Sequence, residues 1–116
     1  MVKETAHGKF VIIDECTMLE GINYALANKI RLLTLRQVGV ARDEGLVPNR
    51  WYDTATILKN YELHNLTRDE LKNAERLKLR LLFISVDAGS GGLLGGSLGD
   101  GGRFLGIRQT KKKVRF

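Results

Sequence analysis

Four carboxylates stand where phosphoryl-transfer chemistry would want them. Asp14 and Glu15 follow the apolar run at 10–13, Asp87 follows the run at 82–86, and Asp100 lies in a glycine-rich stretch. Magnesium takes oxygen ligands octahedrally and keeps several waters. A nuclease uses such an ion to orient water and to neutralise phosphate charge. If strands at 10–13 and 82–86 lay side by side, Asp14 and Asp87 would meet at one edge. Acidic residues are also ordinary turn formers, and nothing in their spacing brings these four together. The sequence therefore assigns no catalytic residue, no metal ligand and no cofactor.

The nucleophile readings are thinner. Cys16, the single cysteine, precedes a helix start, a position that lowers a thiol pKa. No base or orienting group accompanies it, so a small buried side chain is the better reading. His7 and His64 lack partners at zinc-site spacing. Val11-Ile12-Ile13-Asp14-Glu15 resembles the Walker B element of nucleotide hydrolases over five residues. The nine residues before Phe10 do not hold the required phosphate loop, and the glycines at 89–102 lack a following Gly-Lys-Ser/Thr. Residues 34–62 resemble a helix–turn–helix in outline. That resemblance would place Arg50, Trp51, Tyr52, Thr54, Thr56 and Lys59 at phosphates or base edges. Its connection, Gly45-Leu46-Val47-Pro48, is longer than the usual tight turn, so antiparallel helices fit better.

Charge is the stronger signal. The formal net charge is +6, yet residues 1–102 hold thirteen Lys/Arg against thirteen Asp/Glu. The excess is Arg103, Arg108, Lys111, Lys112, Lys113 and Arg115, with no acid among them. Such a concentration attracts phosphates and releases their counterions on binding. These six residues are the expected nucleic-acid contacts, with Phe116 available to stack. The Lys-Lys-Lys-Val-Arg run also resembles a short nuclear-import signal.

Positioning falls to elements marked by reciprocal helix caps, a hydroxyl residue followed three positions later by Glu or Gln. Thr17/Glu20, Thr34/Gln37 and Thr67/Glu70 fit. They predict helices over about 18–31, from 34 to a stop at Gly45, and from 67 through the stripe ending at Leu81. A fourth helix is expected over about 49–61, where Trp51, Ala55, Leu58 and Tyr61 share a helical face. Short strands are expected at 10–13, 82–86 and 103–108. Nine glycines fall within 89–106, punctuated by Leu93, Leu94 and Leu98. They read as a hinge or as a loop held against a surface by its leucines.

The fold class expected is α+β: a small helix-rich domain of about four helices with a small sheet or extended arms. The division is a core at 1–88, a glycine-rich loop or hinge at 89–102 and a basic extended segment at 103–116. No apolar run reaches the roughly eighteen residues of a membrane span, and the polar N-terminus is not a secretory signal. The lone cysteine fits a reducing, intracellular setting, with nucleus or virion as the specific ones. The leading function is nonenzymatic nucleic-acid binding or nucleoprotein assembly. The alternatives are a structural or adaptor subunit of a viral or phage assembly, docking or self-associating through residues 89–116, and a magnesium-dependent nuclease.

Overall fold

The structure, a computed structural model, describes residues 2–4, 10–84 and 95–108. It is an α+β domain of four helices and a mixed sheet. In chain order the elements are β1 (Val2–Glu4), β2 (Phe10–Thr17), α1 (Met18–Ala27), β3 (Ile30–Leu32), α2 (Leu35–Asp43), β4 (Tyr52–Asp53), β5 (Thr56–Lys59), β6 (Glu62–Asn65), α3 (Arg68–Lys72), α4 (Ala74–Leu77), β7 (Leu81–Ile84), β8 (Gly95–Gly96) and β9 (Gly101–Arg108). The main sheet runs β1-β2-β9-β4-β7-β8, with β3 also on β9, while β5 and β6 form a separate hairpin. Among the described residues, only the β4–β9 pairing is parallel.

Both sheet faces are covered, which explains why β2 is a continuous apolar run rather than an alternating one. Val11 and Ile13 pack with Met18, Ile22, Ala25, Leu71, Ala74 and Phe104 on the α1–α3–α4 side. Ile12 joins Leu33, Val38, Ala41, Tyr52 and Leu105 on the α2 side. β9 is the hub, pairing with β2, β3 and β4. Two glycines make that possible. A Cβ at Gly102 would sit 2.9 Å from the Met18 Cα, and one at Gly106 would sit 2.5 Å from Ile30 Cγ2. Residues 95–102 are held against α1: Met18 and Leu19 donate their amides to the Asp100 and Leu98 carbonyls. These contacts satisfy helix-start donors that would otherwise lack partners.

All three reciprocal caps form, at Thr17, Thr34 and Thr67. Gly45 takes the expected left-handed conformation, φ 72°, just past α2. Other expectations are corrected. The first helix ends at Ala27, because Lys29 turns left-handed (φ 57°) and Ile30 joins β9. The helix from Thr67 breaks into α3 and α4 and stops at left-handed Lys78, so Leu81 belongs to β7. The helix at 49–61 is absent. Thr54, Thr56 and Ile57 favour extended backbone, and the Thr54 amide and hydroxyl both donate to the Leu82 carbonyl. Asn60 and Tyr61 are both left-handed, the backbone of a tight two-residue hairpin turn. The helix–turn–helix reading loses its second helix.

Candidate functional site

A bulge organises the first recess. Between Ile13↔Phe104 and Cys16↔Gly102, β2 spends one residue more than β9. Glu15 absorbs the excess at φ 63°. Bulges bend a strand and re-aim its side chains, and here Asp14 lies opposite Arg103. Asp14 is buried, with Oδ2 3.8 Å from Arg103 Nε, an ion pair beyond hydrogen-bond distance. Asp14 Oδ1 has no hydrogen-bond partner among the described residues. The Arg103 guanidinium lies over the Trp51 ring, 4.5 Å from its centroid, in a cation–π contact. The Arg103 backbone amide donates to Asp53 Oδ2 at 2.9 Å. Arg103 thus ties β2, β9 and the β4 segment together.

Asp53 was missed as a functional candidate, and Trp51 was considered only as a helix–turn–helix contact. Fifty residues separate Asp53 from Arg103, and only the parallel Asp53↔Phe104 pairing brings them together. Burial pushes the Asp53 carboxyl up to about 6, opposed by the Arg103 amide and guanidinium and reinforced by Asp100. Asp53, Asp100, Trp51, Phe83 and Met18 line a second recess of about 370 Å³. Asp100 is fixed there by the Ser97 amide, which donates to its Oδ2 at 3.0 Å.

The postulated meeting of Asp14 with Asp87 is corrected in its premise: β9 and β4 separate β2 from β7. Asp87 itself lies outside the described residues, as do His7 and Phe116. No group of three metal-ligating side chains occurs among the described residues. Cys16 is half-buried, and burial first, then Glu20 and Asp14, raise its thiol pKa, opposite to the lowering that a helix start would give and in keeping with a packed small side chain. His64 Nε2 lies 3.0 Å from both Glu70 carboxylate oxygens, and the Thr67 amide with His64 holds the Glu70 carboxyl below its usual value.

A third place is cationic. α1, β3 and α3 enclose a cleft of about 240 Å³, floored by apolar side chains including Ile22, Leu26, Leu66 and Leu71. Its charged lining residues are Lys29, Arg31 and Arg68, all exposed, with no acid beside them in the lining. The Arg68 guanidinium donates to the Leu26 carbonyl at 3.3 Å, offsetting the negative end of α1. β9 ends beside this cleft, with Arg108 opposite Ile30. Of the six cations expected to contact nucleic acid, Arg103 is turned toward Asp14 and Trp51, and Arg108 is half-buried at the β3 edge. Lys111, Lys112, Lys113 and Arg115 lie outside the described residues. No described helix is long and apolar enough to cross a membrane.

Comparison with protein-family models, with curated proteins and with solved structures finds no match.

Proposed function

We infer that this chain binds nucleic acid, or organises an assembly that contains it, through a cationic face centred on Lys29, Arg31 and Arg68. The observation that carries the reading is the uniform sign of the charged residues lining the α1–β3–α3 cleft. Arg108 ends β9 at the same edge. Exposed cations follow a phosphate backbone without base-specific geometry, so the binding is salt-dependent and tolerant of sequence. Arg103 contributes through the fold, by its ties to Asp14 and Trp51, rather than through phosphate contact.

The test is fluorescence anisotropy with labelled duplex DNA, single-stranded DNA and RNA at two salt concentrations. Three proteins are compared: the unaltered chain, a Lys29→Gln/Arg31→Gln/Arg68→Gln variant and a Lys111→Gln/Lys112→Gln/Lys113→Gln variant. Both variants should bind more weakly, and all binding should fall with salt. Binding that ignores salt, or that neither variant changes, would rule the reading out.

An adaptor role is the second reading, and the β5–β6 hairpin favours it. Leu58, Tyr61 and Leu63 are exposed there, an apolar surface of the kind that protein partners cover. Light scattering across a concentration series tests self-association. A monomer throughout would remove the self-assembling form of this reading.

A further inference from the structure

The recess at Asp53 and Asp100 plays no part in polyanion binding, and its composition suits the opposite charge. Its charged lining residues are two carboxylates, and no cation lines it among the described residues. Asp53 is 4% exposed. Its Oδ2 accepts the Arg103 amide. A carboxylate that burial withdraws from water gains from a cation brought to it. The walls decide which kind of cation. Trp51, Phe83 and Met18 present aromatic and thioether surface, which cannot replace the water shell of a hydrated magnesium ion. No third oxygen-bearing ligand completes a metal group among the described residues. Aromatic faces attract cations that also carry apolar surface, and the Trp51 ring already holds the Arg103 guanidinium in this fold.

We propose that this recess binds an alkylammonium group, its methylenes against Trp51, Phe83 and Met18 and its charged head between Asp53 and Asp100. The chemistry is shared by free amines and by lysine side chains of peptides. Asp53 supplies a buried, fixed charge, while exposed Asp100 forms the mouth, anchored by the Ser97 amide. The proposal does not depend on nucleic-acid binding, because it uses a separate recess and the opposite charge.

Trp51 is the only tryptophan in the chain and borders both this recess and the Asp14 recess, so its fluorescence reports binding and the Asp53 and Asp100 variants assign it to this recess. The full chain at pH 7.5 is titrated with n-butylammonium chloride, with potassium chloride holding ionic strength constant. Parallel titrations use Nα-acetyl-lysine methylamide, n-butanol and magnesium chloride. The expected result is a saturable change with both ammonium compounds and none with butanol or magnesium over the same range. Affinity should fall at least about tenfold in Asp53→Asn and in Asp100→Asn, as loss of a charge-assisted contact requires. Asn at 100 keeps an acceptor for the Ser97 amide, so that variant decides the matter even if Asp53→Asn fails to fold. Tighter binding of the lysine amide than of butylammonium assigns a peptide side chain as the occupant, and the reverse order assigns a free amine. An equal response to butanol, saturation by magnesium, no response to either ammonium compound, or affinity unchanged in Asp100→Asn would overturn the proposal.

Discussion

Asp53 is where one residue's chemistry is most exposed to measurement. Its carboxyl titrates at about 6 in the fold against an ordinary 3.8, chiefly because burial disfavours the charged form. The folded chain therefore holds this proton where the unfolded chain has released it. The resulting stabilisation is complete below about pH 3.8 and disappears as pH rises through 6, leaving a cost on the order of 3 kcal/mol. Asparagine keeps a carbonyl oxygen for the Arg103 amide and carries no charge. Urea denaturation should find Asp53→Asn more stable than the parent at pH 8, by up to about 3 kcal/mol, with the advantage gone near pH 4. A variant destabilised at pH 8 would show that the carboxylate is compensated. Gly102 poses a steric rather than an electrostatic test. Its missing Cβ would lie 2.9 Å from the Met18 Cα and 3.0 Å from the Met18 nitrogen, both backbone atoms with no rotamer to yield. Gly102→Ala should cost roughly 1–3 kcal/mol in the same assay; a neutral result would mean that β9 and α1 are less closely packed.

At the scale of elements, what was legible followed the range of the interactions. A reciprocal cap joins residues three apart, so Thr17/Glu20, Thr34/Gln37 and Thr67/Glu70 could be read directly, and all three form. Thr67→Ala should cost about 1 kcal/mol in thermal or urea unfolding. The strands of the core announced themselves as apolar runs at 10–13, 82–86 and 103–108, and β2, β7 and β9 cover most of those positions. The hairpin was misread because Ala55, Leu58 and Tyr61 match a helical period by coincidence; only Ala55 is buried. What sets β5 and β6 is distant, since Ala55 donates to the Leu33 carbonyl and Thr56 bridges Leu35 and Asn65. The site was illegible for the same reason: Asp14, Trp51, Asp53 and Arg103 come from three strand neighbourhoods joined only by tertiary pairing. Tyr61 gives this hairpin its own test. It is 97% exposed at φ 67°, so it holds a left-handed backbone with no packing to lose. Tyr61→Gly should raise stability by up to roughly 1 kcal/mol; a lower melting temperature would contradict the turn geometry.

Across the whole molecule, charges of opposite sign sit at different places around one sheet. Asp53 and Asp100 share a recess with Trp51, whereas Lys29, Arg31 and Arg68 line the α1–β3–α3 cleft. β9 spans both settings, beginning at Gly101 in the acidic recess and ending at Arg108 opposite Ile30 at the cationic edge. The charge balance of residues 1–102 therefore hides a local excess that the folded chain creates. The proposed nucleic-acid face depends on that excess being available to phosphate. Its most direct measurement is the slope of log affinity for a labelled oligonucleotide against log salt, for the parent and for Lys29→Gln/Arg31→Gln/Arg68→Gln. Each phosphate contact contributes roughly 0.7–0.9 to that slope, so the variant should lose about two units or more while keeping the parent's melting temperature. Identical slopes for the two folded proteins would contradict a phosphate-binding role for this face.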